Sequence, residues 1–185
     1  MEKIQIMTDS ACDISEENEK RYGIRIVSFQ LAAGGKSYTS RIDFDHAAFY
    51  RLLEESDDIP STSQITPFEF GELFEDAYQA GYTHVIYVSI NSAGSATYSN
   101  AVLAAGNFFE NHPEAVEQFF LCNIDSGLYT GCYGYGVVEA AKLRERGADA
   151  RKIEAFLRDW CDHAVSDYQN IFHMKPLSAR PKPCR

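Results

Sequence analysis

The segment "THVIYVSI", residues 83–90, constrains this chain more than any other. It is dense in β-branched residues and shows no alternation of apolar and polar positions. A strand with one wet face alternates; a strand apolar throughout is covered on both faces, as in the centre of a parallel sheet. Such a strand demands helices above and below it, and the rest of the chain supplies them in the right order. "KIQIM" (3–7) and "FFLCNI" (119–124) read as further strands, and "IRIVSFQL" (24–31) as a second strand, turning at Gly34-Gly35 into a short strand around Tyr38.

Helix signals fall between these runs. Asp13 followed by Glu16 predicts a capping box for a helix over 14–22, closed by Gly23. Asp45 caps "HAAFYRLLEES", whose Ala48, Phe49, Leu52 and Leu53 keep helical spacing. Thr66-Pro67-Phe68-Glu69 combines an N-cap, a first-turn proline and a capping-box acid, opening a helix that runs to Gly81. Helices over about 97–110, from the loop at Asp125-Ser126-Gly127 to Gly147, and over about 149–167 complete the set, with "NIFHM" as the start of one more strand. The order implies an α/β fold with a mostly parallel sheet flanked by helices. Residues 1–168 are expected to form this lobe. The proline-rich end, 169–185, is expected to be a disordered tail or the start of a second lobe.

Composition excludes several functions. The chain has 45% hydrophobic and 24% charged residues, enough to bury a core. Its net charge is −10, and the eleven residues from Lys175 to Arg185 carry four bases and no acid, so the body is more acidic still. Nucleic acid and anionic membrane are poor partners for such a surface. No run approaches eighteen apolar residues, and "MEKIQIMTDS" is too short in apolar residues for a signal peptide. Five cysteines without CxxC spacing suit reduced thiols in a cytoplasmic protein.

Ligands of open α/β sheets bind beyond the carboxyl ends of the strands. Three loops belong there: Thr8-Asp9-Ser10, Asn91 to Thr97, and Asp125 to Thr130. A fourth polar loop, Ser61 to Gln64, precedes a helix. Asp9, Ser10, Thr62, Ser63, Ser92, Ser95, Thr97 and Ser126 are the candidate ligand-binding residues. Each loop leads towards a helix N-terminus, where unpaired amides and the dipole favour an anion, although the same residue types also serve simply as caps. No Lys or Arg occurs in 61–66, 89–101 or 122–135, and there is no GxxxxGK[ST] motif. Hydroxyls and amides without a lysine suit one carboxylate, one phosphate group or a neutral polar head.

Ser95 admits a second reading as a nucleophile, since Ala93-Gly94-Ser95-Ala96-Thr97 is a small-residue relative of the GxSxG elbow. Asp125 and either His163 or His173 follow in triad order, but neither histidine carries a local signature. No His/Cys/Asp spacing marks a metal site, and no cofactor motif is present. Asp9 and Asp125 are expected to accept hydrogen bonds from loop amides.

An ordered set of motifs, "IMTDSACDI", "FDHAAFYRLL", "PSTSQITP", "VIYVSINSAGSATYSNA" and "NIDSGLYTGCYGYGVVEAA", resembles the DegV family of bacterial fatty-acid-binding proteins over about residues 3–160. The resemblance implies a first lobe of the kind seen in dihydroxyacetone kinases. It implies a non-catalytic carrier that holds a long-chain fatty acid in an apolar tunnel and presents its carboxylate to a separate fatty-acid kinase. The family's threonine of TSQ and serine of the SGT triplet fall on Thr62 and Ser95. Here Ser92-Ala93-Gly94-Ser95-Ala96-Thr97 replaces SGLSGT, and Tyr38-Thr39-Ser40 replaces Tyr-x-Asp. Family members continue into a second lobe whose Leu-x-x-Gly-Gly-Arg stretch is not recognisable here. A truncated product is therefore expected, crippled as a binder or reduced to a non-binding fragment, with an exposed apolar groove that favours a homodimer.

Overall fold

The structure, a computed structural model, describes residues 2–44, 46–55 and 60–164. The expected cap at Asp45, the strand at "NIFHM" and the whole 169–185 tail lie outside them. Four strands, β1 (Ile4–Asp9), β2 (Arg25–Val27), β6 (His84–Ser89) and β7 (Phe120–Asp125), form a parallel sheet in the order β2-β1-β6-β7. Between β1 and β2 runs α1 (Glu16–Tyr22). A second, antiparallel sheet holds β3 (Gln30–Ala33) between β4 (Lys36–Thr39) and β5 (Ser61–Ser63), with α2 (His46–Glu55) connecting the last two. The chain then returns through α3 (Pro67–Gln79), β6 (His84–Ser89), α4 (Thr97–Asn111), a 3₁₀ turn at Pro113–Ala115, β7 (Phe120–Asp125), α5 (Gly131–Glu145) and α6 (Ala150–His163).

The unbroken apolar run of β6 is explained by its position between β1 and β7, with a core on each face. Ile86 and Val88, with Ile4, Ile6 and Ile124, pack under α5 and α6 against Val137, Ile153 and Leu157. Val85 and Tyr87, with Met7, face α3 and α4 and meet Phe70, Phe74 and Phe108. Burying each of these large side chains contributes roughly 1.5–3 kcal/mol, so the central strands are the most strongly held part of the lobe.

Three local expectations need correction. The first helix is capped by Ser15, whose side chain accepts from Asn18 N, and not by Asp13, which stands in left-handed conformation at φ 52°. The segment 24–31 is two strands: β2 ends at Val27, and Gln30 opens β3 in the other sheet. The hydroxyl of Ser10 enters that break and accepts from Phe29 N at 3.0 Å. The polar loop at Ser61 to Gln64 is largely β5, an exposed strand paired with β3. The capping box at Thr66 and Glu69 is present with both of its bonds.

From β1 the chain steps to β2 on one side and later to β6 on the other. The sheet therefore has its switch point beyond the carboxyl ends of β1 and β6, where the loops part and leave room for a ligand.

Candidate ligand-binding cleft

The loops above the sheet are fastened by two aspartates. Asp9 is fully buried, and its carboxylate accepts from four groups: Tyr133 Oη at 2.6 Å, Ile90 N at 2.8 Å, Ala11 N at 3.2 Å and Tyr87 Oη at 3.3 Å. Burial raises its pKa above the ordinary carboxylate range, against the lowering effect of those bonds. Both tyrosines are pushed well above their usual value, by burial first and by the Asp9 charge second. Asp125 Oδ1 accepts from Ser92 N at 3.0 Å and Gly127 N at 3.1 Å, tying the β6 loop to the β7 loop. Asn91 adds to the tie: its amide donates to Leu128 O and its side chain to Gly127 O.

These loops spend many of their polar groups on one another. Ser126 is buried, and its hydroxyl bonds within its own turn, accepting from Leu128 N at 3.1 Å and donating to Leu128 O at 3.3 Å. Ser95 Oγ and Thr97 Oγ1 form a hydrogen bond of 2.8 Å, and Thr97 N donates to Ser95 Oγ at 3.3 Å. Thr97 is buried, Ser95 is half-buried and Ser92 is exposed. Ser95 is not on a strained elbow, since the only non-glycine residues with positive φ among the described residues are Asp13, Arg41 and Thr130. The described histidine rings are bonded elsewhere: His84 to Thr83, His112 to Glu75 and Glu114, His163 to Asp159. Among the described residues the nucleophile reading of Ser95 therefore finds no support; His173 lies outside them. Among the described residues no group of three His, Cys, Asp or Glu side chains is placed to hold a metal ion.

A cleft of about 800 Å³ opens beside the switch point, between the loop after β1, the small sheet and α2. Its apolar walls are Phe29, Leu31, Phe44, Ala47, Phe49 and Tyr50, and its hydroxyls are Ser10, Ser15, Ser40, Thr62 and Thr130. Thr62 faces inward because it pairs with Leu31, a buried wall residue; Ser63, one position on, pairs with Gln30 on the opposite face. Of the candidate residues read from sequence, the cleft thus brings together Ser10 and Thr62. Asp9, Ser63, Ser92, Ser95, Thr97 and Ser126 are outside its walls.

Three residues that were not among the binding candidates mark the same place. Asp13 (φ 52°), Arg41 (φ 65°) and Thr130 (φ 54°) all line this one cleft. Left-handed backbone is costly for side-chain-bearing residues and concentrates at ligand clamps. Thr130 stands at the N-cap of α5 but makes no side-chain cap bond, so capping does not explain it. Arg41 is 13% exposed and donates from Nη1 to Ile14 O at 2.8 Å and from Nη2 to Glu19 Oε2 at 2.6 Å.

The chain is thus a three-layer α/β lobe with a mainly apolar, hydroxyl-bearing cleft of small-molecule size at its switch point. Comparison with known proteins sharpens that class. A family model described as an uncharacterised protein of the DegV family matches residues 3–167, and the chain belongs to the DegV family. It is 38% identical over 153 residues to a DegV domain-containing protein of Caldanaerobacter subterraneus, covering 83% of this chain and 51% of the relative. It is 30% identical over 166 residues to one of Clostridium acetobutylicum, covering 90% and 56%. The chain spans about half the length of the curated relatives it matches. In fold it is similar to DegV, a fatty acid binding protein from Bacillus subtilis, with TM-score 0.76 and 24% identity over 88% of this chain and 55% of that one. It is similar also to the Streptococcus pneumoniae fatty acid kinase (Fak) B3 protein loaded with linoleic acid, with TM-score 0.69 and 16% identity, covering 86% and 54%. No described helix is long and apolar enough to cross a membrane.

Proposed function

We propose that this chain is the first lobe of a fatty-acid carrier, with the acyl chain along the apolar wall of the cleft and the carboxylate at its hydroxyl rim. The observation that carries the reading is the cleft itself. Its volume of about 800 Å³ lies within the roughly 300–1,000 Å³ of small-molecule sites, and Thr62 and Ser10 stand beside Phe29, Leu31 and Phe49 in its lining. The fatty-acid-binding structures of the same fold support the choice of ligand. The Ser95–Thr97 hydroxyl pair, held at the switch point by its own hydrogen bond, is the second group of head-group donors in this reading. The carrier works without chemistry of its own: it offers the carboxylate to a separate kinase in the cytoplasm. The open side of the cleft is where a second copy or a further lobe covers the acyl chain.

Mass spectrometry of the denatured, purified protein tests the reading by showing whether a fatty acid leaves with it. Thr62→Val should weaken uptake of that acid about tenfold, the loss expected for one hydrogen bond to a charged group of ~1.5 kcal/mol. A protein that carries no fatty acid and takes none up from solution would overturn the carrier assignment for this chain.

A further inference from the structure

The hydroxyl loops bring no cation to the head of the sheet, yet a carboxylate held away from water needs a partner charge. The cleft contains one. Arg41 lies in its wall with its side chain only 13% exposed, in the turn between β4 and α2. We propose that Arg41 is the residue that recognises the ligand's carboxylate, so that the cleft selects ionised acyl chains over neutral ones. This rests on the fatty-acid reading above.

Three features carry the assignment. The first is backbone conformation: Arg41 holds φ 65°, where glycine would be relaxed, and shares that property only with two other cleft residues among the described non-glycine positions. The second is donor geometry. A guanidinium presents five N–H donors in a planar fork suited to a carboxylate. Two bonds, to Ile14 O and Glu19 Oε2, anchor Arg41 to α1 and the turn before it. The third is the balance of charge around it. Asp13, Glu16 and Arg41 are the charged residues of the lining, and both acids are exposed. Glu16 is moreover paired with Lys20 at 3.0 Å. Exposed charges are screened by water and salt far more than a nearly buried guanidinium, so the field felt by a ligand anion is set by Arg41 and its partner Glu19.

Glu19 is then a built-in competitor. It occupies one edge of the fork at 2.6 Å, and an incoming carboxylate shares or displaces it. The ligand's charge is compensated at Arg41, while Ser10, Ser40 and Thr62 complete its hydrogen bonding at the rim.

The test compares cis-parinaric acid, a fluorescent fatty acid, with its methyl ester, at one pH and salt concentration. The wild-type protein should bind the acid about tenfold more tightly than the ester, the value of one charge-assisted hydrogen bond. Arg41→Met should bring that ratio close to one, and Arg41→Lys should fall between. Glu19→Gln should tighten acid binding and leave ester binding unchanged, with Arg41 itself in place. An Arg41→Met protein that melts cooperatively yet keeps the wild-type acid-to-ester ratio overturns the proposal and leaves the carrier reading intact. If Arg41→Met does not fold, unchanged acid affinity in Glu19→Gln overturns it instead. A wild-type protein that binds neither probe overturns the carrier reading and this proposal together.

Discussion

Asp9→Ala should destabilise the lobe by about 3 kcal/mol at pH 7, because four donors would lose the one fully buried carboxylate that accepts from them. Tyr133 Oη at 2.6 Å and Ile90 N at 2.8 Å make the short bonds, and Ala11 N and Tyr87 Oη the long ones at 3.2 and 3.3 Å. An unsatisfied buried donor costs about 1–3 kcal/mol, so the two short bonds alone set a scale of roughly 2–6 kcal/mol. The variant also removes a carboxyl whose ionised form is penalised by burial, which offsets part of that loss and selects the lower half of the range. Urea unfolding followed by circular dichroism and by the fluorescence of Trp160, the sole tryptophan, gives the difference from midpoints and slopes. The pH dependence has a definite sign. The folded state holds the Asp9 proton more tightly than the unfolded chain, so this contribution is full below about pH 4 and declines as pH rises through the raised folded value. The gap between wild type and Asp9→Ala should narrow with rising pH above about 4. A loss under about 1 kcal/mol, or a gap that widens with pH, would refute the hub role or the burial argument respectively.

Two further substitutions probe how the surrounding helices are held. A Cβ at Gly136 would lie 2.5 Å from Trp160 Cδ1, so Gly136→Ala should displace the indole, break its bond to Cys132 O, shift its emission and cost about 1–3 kcal/mol by urea unfolding. Thr66→Ala removes the acceptor of Glu69 N and should cost about 1 kcal/mol by the same measurement, with the tryptophan spectrum unchanged.

What could be read in advance followed the range of the interactions. The capping box at Thr66 and Glu69 closes within four residues, so sequence contains all of it. The β6 run required only that both faces be covered. The break between β2 and β3 depends instead on Ser10, nineteen residues from the Phe29 amide it receives, and "IRIVSFQL" shows no local interruption. Likewise "STS" has no apolar periodicity and becomes strand β5 only because β3 offers an edge. The hydroxyl loops were legible as a cluster at the head of the sheet, but not how the small sheet divides them: alternation turns Thr62 into the cleft and Ser63 away. The apolar wall was hidden in α2, where Phe49 also fits ordinary helix packing.

The left-handed residues lead to a last prediction. This chain places glycine where only the backbone must turn, as at Gly23, Gly34 and Gly35. At Asp13, Arg41 and Thr130 it keeps side chains at positive φ as well, at about 1–3 kcal/mol each. Against a total stability of about 5–15 kcal/mol, three such residues around one cleft are a substantial burden. Thr130 isolates the effect, because its side chain makes no cap bond for α5. Thr130→Gly should therefore raise stability by about 1 kcal/mol, strain relief exceeding the entropy that glycine loses. It should also weaken fatty-acid uptake, since the hydroxyl lost belongs to the cleft. Urea unfolding and cis-parinaric acid titration on one preparation measure both quantities. A variant that is less stable than wild type would mean that Thr130 supports the fold rather than the ligand. A more stable variant with unchanged uptake would remove Thr130 from the site and leave its conformation without a functional cause.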